Sequence, residues 1–165
     1  MVAEITDHAT RAAFLSTPSL YFSLDEDSEL YQNSVVFDFD PAFGKDPKIP
    51  DPTKNFVCYD FNHPEDTIPK DMLGTFDYVV IDPPFITEEV WTKYAHATKM
   101  LWKPEGGKVL GSTVAENEPL LKKLLGCSSA VFQPSIPNLV YQYNLFTSYP
   151  PTQLNEKNPE IPDDW

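Results

Sequence analysis

The sequence predicts an α/β fold in which a mostly parallel sheet of seven strands is covered on both faces and carries an antiparallel last strand. Short, nearly continuous apolar runs alternate with helical stretches or long loops, the pattern of strands buried on both sides. The gap between the last two runs, Gln133 to Val140, is too short for a parallel crossover, so these two pair antiparallel. The 17 prolines cluster at 41–52, 64–69 and 150–162, where they punctuate loops rather than the runs. The length of 165 residues, with 41% hydrophobic and 13% aromatic residues, suffices for one domain with its own core.

Each element has a local reason. Residues 3–10 read as the end of a helix, and Arg11-Ala-Ala-Phe-Leu-Ser16 as a buried strand stopped by Thr17-Pro18-Ser19. Pro18 opens a helix reaching Leu24, and Asp25 to Glu29 form a solvated acidic loop. Asn33 to Phe39 is the second strand, closed by Asp40-Pro41. Phe56 to Tyr59 is the third, closed by Asp60, and Phe76 to Ile81 the fourth, closed by Asp82-Pro83-Pro84. The clearest helix runs over 88–102, capped by Thr87, with Val90, Trp91, Tyr94, Ala97, Thr98 and Leu101 on one face. Gly106-Gly107 turns into a fifth strand at 108–113, and a helix with Pro119 in its first turn ends at Gly126. Residues 128–132 and 141–149 are the last two strands. The domain therefore spans 1–149, followed by a Pro-rich, acidic, extended tail at 150–165.

Charge excludes some functions. Twenty-five acids face twelve bases, a net of −13, and Arg11 is the only arginine. Nucleic-acid and anionic-membrane surfaces are poor partners for such a chain, and a cationic ligand or basic protein is a better one. Eight acids and one base fall in residues 1–44, a net of −7. No apolar run is long enough for a membrane span, and the first residues have no signal-peptide pattern. Cys58 and Cys127 sit in apolar surroundings and read as buried free thiols in a reducing compartment, which points to the cytoplasm. His8, His63 and His96 are far apart and without companion cysteines, so no metal site is expected.

The chemistry gathers at strand ends. In an open α/β sheet, ligands bind beyond the carboxyl ends of the strands, where the strand order reverses. Three successive strands here end in an acid: Asp38 or Asp40, then Asp60, then Asp82. The sharpest signal is Asp82-Pro83-Pro84-Phe85. Two prolines remove two backbone donors and hold the chain extended, leaving carbonyls free to accept. Asp82 adds a charged acceptor and Phe85 a flat apolar wall. An amine held by Asp82 and a proline carbonyl has its lone pair aimed forward, which is positional catalysis of an in-line transfer.

This tetrapeptide on the fourth strand resembles the motif of S-adenosyl-L-methionine-dependent amino-methyltransferases. More narrowly, the chain resembles the elongation factor 1-alpha lysine methyltransferase family, formerly labelled N6-adenine-specific DNA methyltransferase 2. The matching stretches are Phe14 to Tyr21, Val36 to Asp40 with Phe43, Val57 to Asn62 with Pro64, Phe76 to Phe85, and Pro137-Asn138-Leu139, covering about residues 10 to 149. The resemblance implies a Rossmann-like seven-strand methyltransferase sheet, S-adenosyl-L-methionine as cofactor, and lysine methylation of a translation elongation factor. It implies that Ser16, Thr17 and Pro18 lie beside the methionine part of the cofactor, that Asp40 or else Asp38 takes the ribose hydroxyls, and that Asp60 and Phe61 flank the adenine. Asp82 to Phe85 then hold the target amine.

Two departures from the family pattern stand out. About ten residues precede Arg11 where family members carry a longer helical segment, so the fold is expected to be shortened at its N-terminus. The family's Asn-Glu-Phe-Arg-Cys-Tyr run at the last strand is here Tyr141-Gln142-Tyr143-Asn144-Leu145-Phe146, without its Glu and Arg charges. Three readings follow: a protein-lysine methyltransferase, a catalytically silent subunit or binding module of the same fold, and an N6-adenine nucleic-acid methyltransferase, which the charge disfavours.

Overall fold

A computed structural model describes residues 1–136 and 138–161. Pro137 of the sequence motif, Pro162 and Trp165 fall outside them. Helix α1 (Val2–His8) leads into β1 (Ala12–Leu15), α2 (Pro18–Phe22) and α3 (Glu29–Asn33). Next come β2 (Val35–Asp38), β3 (Phe56–Cys58), a single turn α4 (Pro64–Thr67), β4 (Tyr78–Ile81) and the long α5 (Glu88–Leu101). The chain continues through β5 (Lys108–Val114), α6 (Glu118–Leu125), β6 (Ser128–Ser129) and β7 (Tyr143–Thr147).

The strands form one seven-stranded sheet in the order β3-β2-β1-β4-β5-β7-β6. The pairs among β1 to β5 are parallel, and β7 runs antiparallel to both β5 and β6. The order reverses between β1 and β4, so the carboxyl ends of these two neighbours mark the switch point. Alternate residues feed two cores. Ala13, Leu15, Val35, Phe37, Val79, Ile81, Val109 and Phe146 pack against α5 and α6. Ala12, Phe14, Val36, Tyr78, Val80, Leu110 and Leu145 pack under α1, α2 and α3. The side-chain period of two along each strand makes this division.

Helix α5 follows its sequence pattern. The Thr87 hydroxyl accepts from the Val90 N–H, and the expected apolar face is buried. Helix α6 ends at Gly126, whose φ of 68° is left-handed; its N–H reaches Lys122 O at 3.0 Å. Three expectations need correction. The acidic stretch 25–29 is not all loop and Asn33 is not strand: Ser28 accepts from the Tyr31 N–H and starts α3, which takes in Glu29 and Asn33. Cys58 is exposed because β3 is an edge strand and alternation turns Val57, not Cys58, inward. The last two strands are shorter than the apolar runs, because beyond Ala130 the chain bonds elsewhere, Phe132 N–H donating to Leu154 O.

Residues 150–161 carry no helix or strand, yet they are fastened to α1. The carboxylate of Glu4, fully buried, accepts from the Thr152 N–H and hydroxyl, the Gln153 N–H and the Tyr149 hydroxyl. Leu154 is buried beside the α1–α3 core. An irregular segment is thus held by a charge whose lone pairs are all engaged, which is the condition for burying one.

Candidate active site

At the end of β1 the chain turns at Ser16 with φ 59°, a left-handed conformation unusual outside glycine. Its N–H donates to Phe37 O at 2.8 Å, and its hydroxyl lies 2.6 Å from the Tyr94 hydroxyl on α5. The tight β1–α2 turn is therefore made by a serine held from two sides. One strand over, Asp82 leaves β4 with its N–H on Leu15 O, which sets it beside Ser16. Pro83 is buried, while Pro84 and Phe85 stand out from the surface, Phe85 being 59% exposed. The Asn117 amide donates to Ile86 O at 2.9 Å and to the Thr113 hydroxyl at 3.0 Å, tying this loop to β5.

A cleft of about 500 Å³ opens over these strand ends, lined by Ser16, Asp38, Phe39, Tyr59, Asp60, Phe61, Asn62, Asp82, Pro84, Phe85 and Tyr94. That volume is within the range of small-molecule sites. A second cavity of about 270 Å³ shares Ser16 and Asp82 with the first and continues along Thr17, Ser19 and Leu20 toward Ser112, Pro134, Ile136 and Leu145. Three carboxylates and five aromatic rings line the cleft, and no Lys or Arg does. Lys93 stands at the rim, donating to Asn62 Oδ1 at 2.6 Å and to Glu89 at 3.1 Å, with its Nζ 5.7 Å from the Phe61 ring centre.

The predicted residues separate here. Asp38, Asp60, Phe61, Asp82, Pro84, Phe85 and Ser16 come together in the cleft. Thr17 lines the second cavity, and Pro18, at the start of α2, lines neither. Of the two acids after β2, Asp38 faces the cleft. Asp40 turns back to cap the 3₁₀ turn Pro41–Lys45 through the Ala42 N–H. Sequence reasoning missed Phe39, Tyr59, Asn62 and Tyr94. The first three alternate with or adjoin the chosen acids, so acid–aromatic interleaving at a strand end was their signal. Tyr94 keeps the helical spacing of the core, which says nothing of where its hydroxyl reaches.

Burial sets the electrostatics. Asp82 is open to solvent on one side but stands at the floor of the cleft, and desolvation by its walls pushes its carboxyl up to about 6. Burial also raises Asp38, opposed by the Asp40 N–H bonded to it. The Tyr94 phenol is pushed up to about 12 by burial. Tyr59 is almost wholly buried, and its hydroxyl has no hydrogen-bond partner; the buried Thr17 hydroxyl has none either. Each is a polar atom in a cavity wall that a bound group can satisfy. Among the described residues, no group of three or more His, Cys, Asp or Glu gathers as a metal site.

A parallel sheet with this switch point, an antiparallel seventh strand inserted beside the fifth, and a cleft at the carboxyl rim define the class: a Rossmann-like methyltransferase sheet. The N-methyltransferase NodS of Bradyrhizobium japonicum, solved with S-adenosyl-L-homocysteine, superposes with a TM-score of 0.58 at 10% identity, over 87% of this chain and 80% of that one. The methyltransferase CalH, also solved with S-adenosyl-L-homocysteine, gives 0.55 at 12% identity over 88% and 53%.

Sequence narrows the class. The family model described as probable N6-adenine methyltransferase matches residues 1–151, and the chain belongs to that family. A protein-lysine N-methyltransferase of Dictyostelium discoideum is 31% identical over 144 residues, covering 87% of this chain and 65% of that protein. One of Caenorhabditis elegans is 33% identical over 143 residues, covering 84% and 62%. The EEF1A lysine methyltransferase 1 of Danio rerio is 33% identical over 147 residues, covering 84% and 81%. The chain spans less than two thirds of the length of the Dictyostelium and Caenorhabditis relatives.

Proposed function

We propose that the chain is an S-adenosyl-L-methionine-dependent protein-lysine N-methyltransferase acting on elongation factor 1-alpha in the cytoplasm. The observation that carries this reading is that Asp82, Pro84 and Phe85, just past the carboxyl end of β4, line one cleft together with Ser16, which follows β1, while Pro83 between them is buried. Relatives named for lysine methylation, and for EEF1A in particular, support the acceptor. The −13 charge supports a basic protein over a nucleic acid.

The cleft suits the cofactor. Asp38 is the acceptor for ribose hydroxyls, with Asp40 the weaker choice because its carboxylate is engaged by Ala42. Asp60 and Phe61 flank the adenine, and the unpartnered Tyr59 hydroxyl offers a further bond there. Ser16, Thr17 and Pro18 form the loop beside the methionine part. When bound, S-adenosyl-L-methionine would supply an electrophilic methyl group on a sulfonium, with the thioether as its leaving group.

The protein's part is to present a neutral, aligned amine. A lysine near pKa 10.4 in water is an ammonium and must lose a proton first. Burial against Phe85 and Pro84 favours that loss, with the proton passing to solvent water at the open side of Asp82. Asp82, ionised above about pH 6, accepts an amine N–H, and a carbonyl of the Pro-Pro segment accepts another. The lone pair then points into the cleft, and excluding water strengthens both bonds.

Phe85, exposed beside Asp82, favours a second reading in which a flipped adenine stacks on the ring and presents its N6 amine. Calorimetry with S-adenosyl-L-methionine, followed by transfer of labelled methyl to elongation factor 1-alpha or to an oligonucleotide, separates the readings. Cofactor binding with label on protein lysine supports the proposal. Label on DNA alone supports the second, and absence of cofactor binding leaves a silent module.

A further inference from the structure

The first strand-to-helix turn of a nucleotide-binding α/β sheet is ordinarily made by glycine, which reaches positive φ without steric penalty. This chain has no glycine before Gly44, and Ser16 stands at that turn with φ 59°. A residue with a Cβ disfavours the left-handed region, so its surroundings must impose it. The backbone half of the constraint is the Ser16 N–H on Phe37 O at 2.8 Å, which carries the β1–β2 ladder one residue past Leu15. The side-chain half is the Tyr94 hydroxyl, 2.6 Å from the Ser16 hydroxyl.

Tyr94 has a fixed reach. It lies in the middle of α5, buried in one core with Val90, Trp91, Ala97 and Leu101. Its ring meets that of Tyr59 edge-on at 5.9 Å between centres, and that of Phe61 at 5.6 Å. Tyr59 and Phe61 follow β3, and Ser16 follows β1. One side chain on α5 therefore touches two strand ends, and all four residues line the cleft. Burial pushes the Tyr94 phenol up to about 12, so the hydroxyl keeps its proton at neutral pH.

The turn at Ser16 decides where the next residue points. The Thr17 hydroxyl is buried and unpartnered, and Thr17 lines the second cavity. That hydroxyl does not cap α2, although Thr17 immediately precedes the helix. A Ser16 relaxed to negative φ would send the chain out of β1 in another direction and carry Thr17 and the start of α2 with it.

We infer that Tyr94 is a positioning residue for the cofactor: its hydroxyl holds Ser16 in the left-handed turn and so keeps the Thr17 hydroxyl in the cavity wall. This rests on the methyltransferase reading, which puts Ser16 and Thr17 beside the methionine part of the cofactor. It adds what fixes them there, a strut from α5 in the place of a glycine.

The test uses the full chain and calorimetry with S-adenosyl-L-methionine, with thermal unfolding to show that each variant is folded. Tyr94→Phe removes the hydroxyl and leaves the ring against Tyr59 and Phe61. The inference expects it to raise the cofactor Kd by about tenfold. Adding Ser16→Gly supplies a residue that adopts the turn unaided, and the double variant recovers to within about threefold of the wild-type Kd. A general packing role for Tyr94, or a direct bond from either hydroxyl to the cofactor, gives no such rescue. A Kd unchanged by Tyr94→Phe, or a double variant that binds as weakly as Tyr94→Phe alone, overturns the inference while wild-type binding upholds the cofactor site. A wild-type chain that does not bind S-adenosyl-L-methionine overturns both.

Discussion

Replacing Asp82 with Asn gives two readouts of opposite sign. In the native chain the carboxyl is pushed from 3.8 up to about 6 by desolvation. A shift of about two units corresponds to about 3 kcal/mol at full value. Solvent reaches the group on its open side, so screening reduces this to about 1 kcal/mol. The native state holds the proton more tightly than the unfolded chain, so this destabilisation is absent below about pH 4, grows as pH rises to about 6, and is complete above it. At pH 8, Asp82→Asn therefore raises the thermal midpoint by about 2–4 °C, and at pH 4 it does not. The same change removes a charged acceptor for the amine and lowers kcat/KM by about 10–100-fold. Thermal unfolding at the two pH values and steady-state methyl transfer measure the two effects. A variant that loses stability at pH 8, or keeps full activity, refutes the placement of a desolvated, amine-binding carboxylate at this position.

Wild-type kcat/KM should fall on the acidic side with a limb near pH 6, measured as a pH–rate profile, as protonation of Asp82 removes its acceptor. Tyr59→Phe should stabilise the cofactor-free chain by about 1 kcal/mol, because it deletes a buried hydroxyl without a partner, and weaken cofactor binding in calorimetry. Asp38→Ala should raise the cofactor Kd by about tenfold, and Asp40→Ala by less, since only Asp38 faces the cleft. Glu4→Ala should cost about 3 kcal/mol in denaturant unfolding and expose residues 150–161 to proteolysis, because it strips the acceptor from Thr152 and Gln153.

The strands at the centre of the sheet were readable because each is buried on both faces, and such strands are apolar without interruption. Residues 12–15 and 78–81 announce themselves this way, which puts Asp82 at a strand end from sequence alone. Edges read less well. Residues 128–132, Ser-Ser-Ala-Val-Phe, read as a strand from their apolar end, yet only Ser128–Ser129 pairs as one, because the following chain bonds to the tail. The acidic run hid α3, whose signal is a single serine cap. The resemblance puts Asp40 ahead of Asp38, and the structure favours Asp38, because Asp40 caps the 3₁₀ turn that begins at Pro41. Tyr94 met every criterion of a core residue and is one, but its hydroxyl bonds to Ser16 across the sheet rim, a contact 78 residues apart in the chain. The tail's composition hid its attachment, since Glu4 and Thr152 lie at opposite ends of the sequence.

The central claim is that Asp82 holds a lysine amine of a protein opposite the cofactor cleft. The most direct test is mass spectrometry of elongation factor 1-alpha after incubation with S-adenosyl-L-methionine and either the wild-type chain or Asp82→Ala. The account predicts a methylated lysine with the wild type, and none with the variant, at saturating cofactor. Equal methylation by both, or a wild type that binds the cofactor and leaves every lysine unmodified, would contradict it.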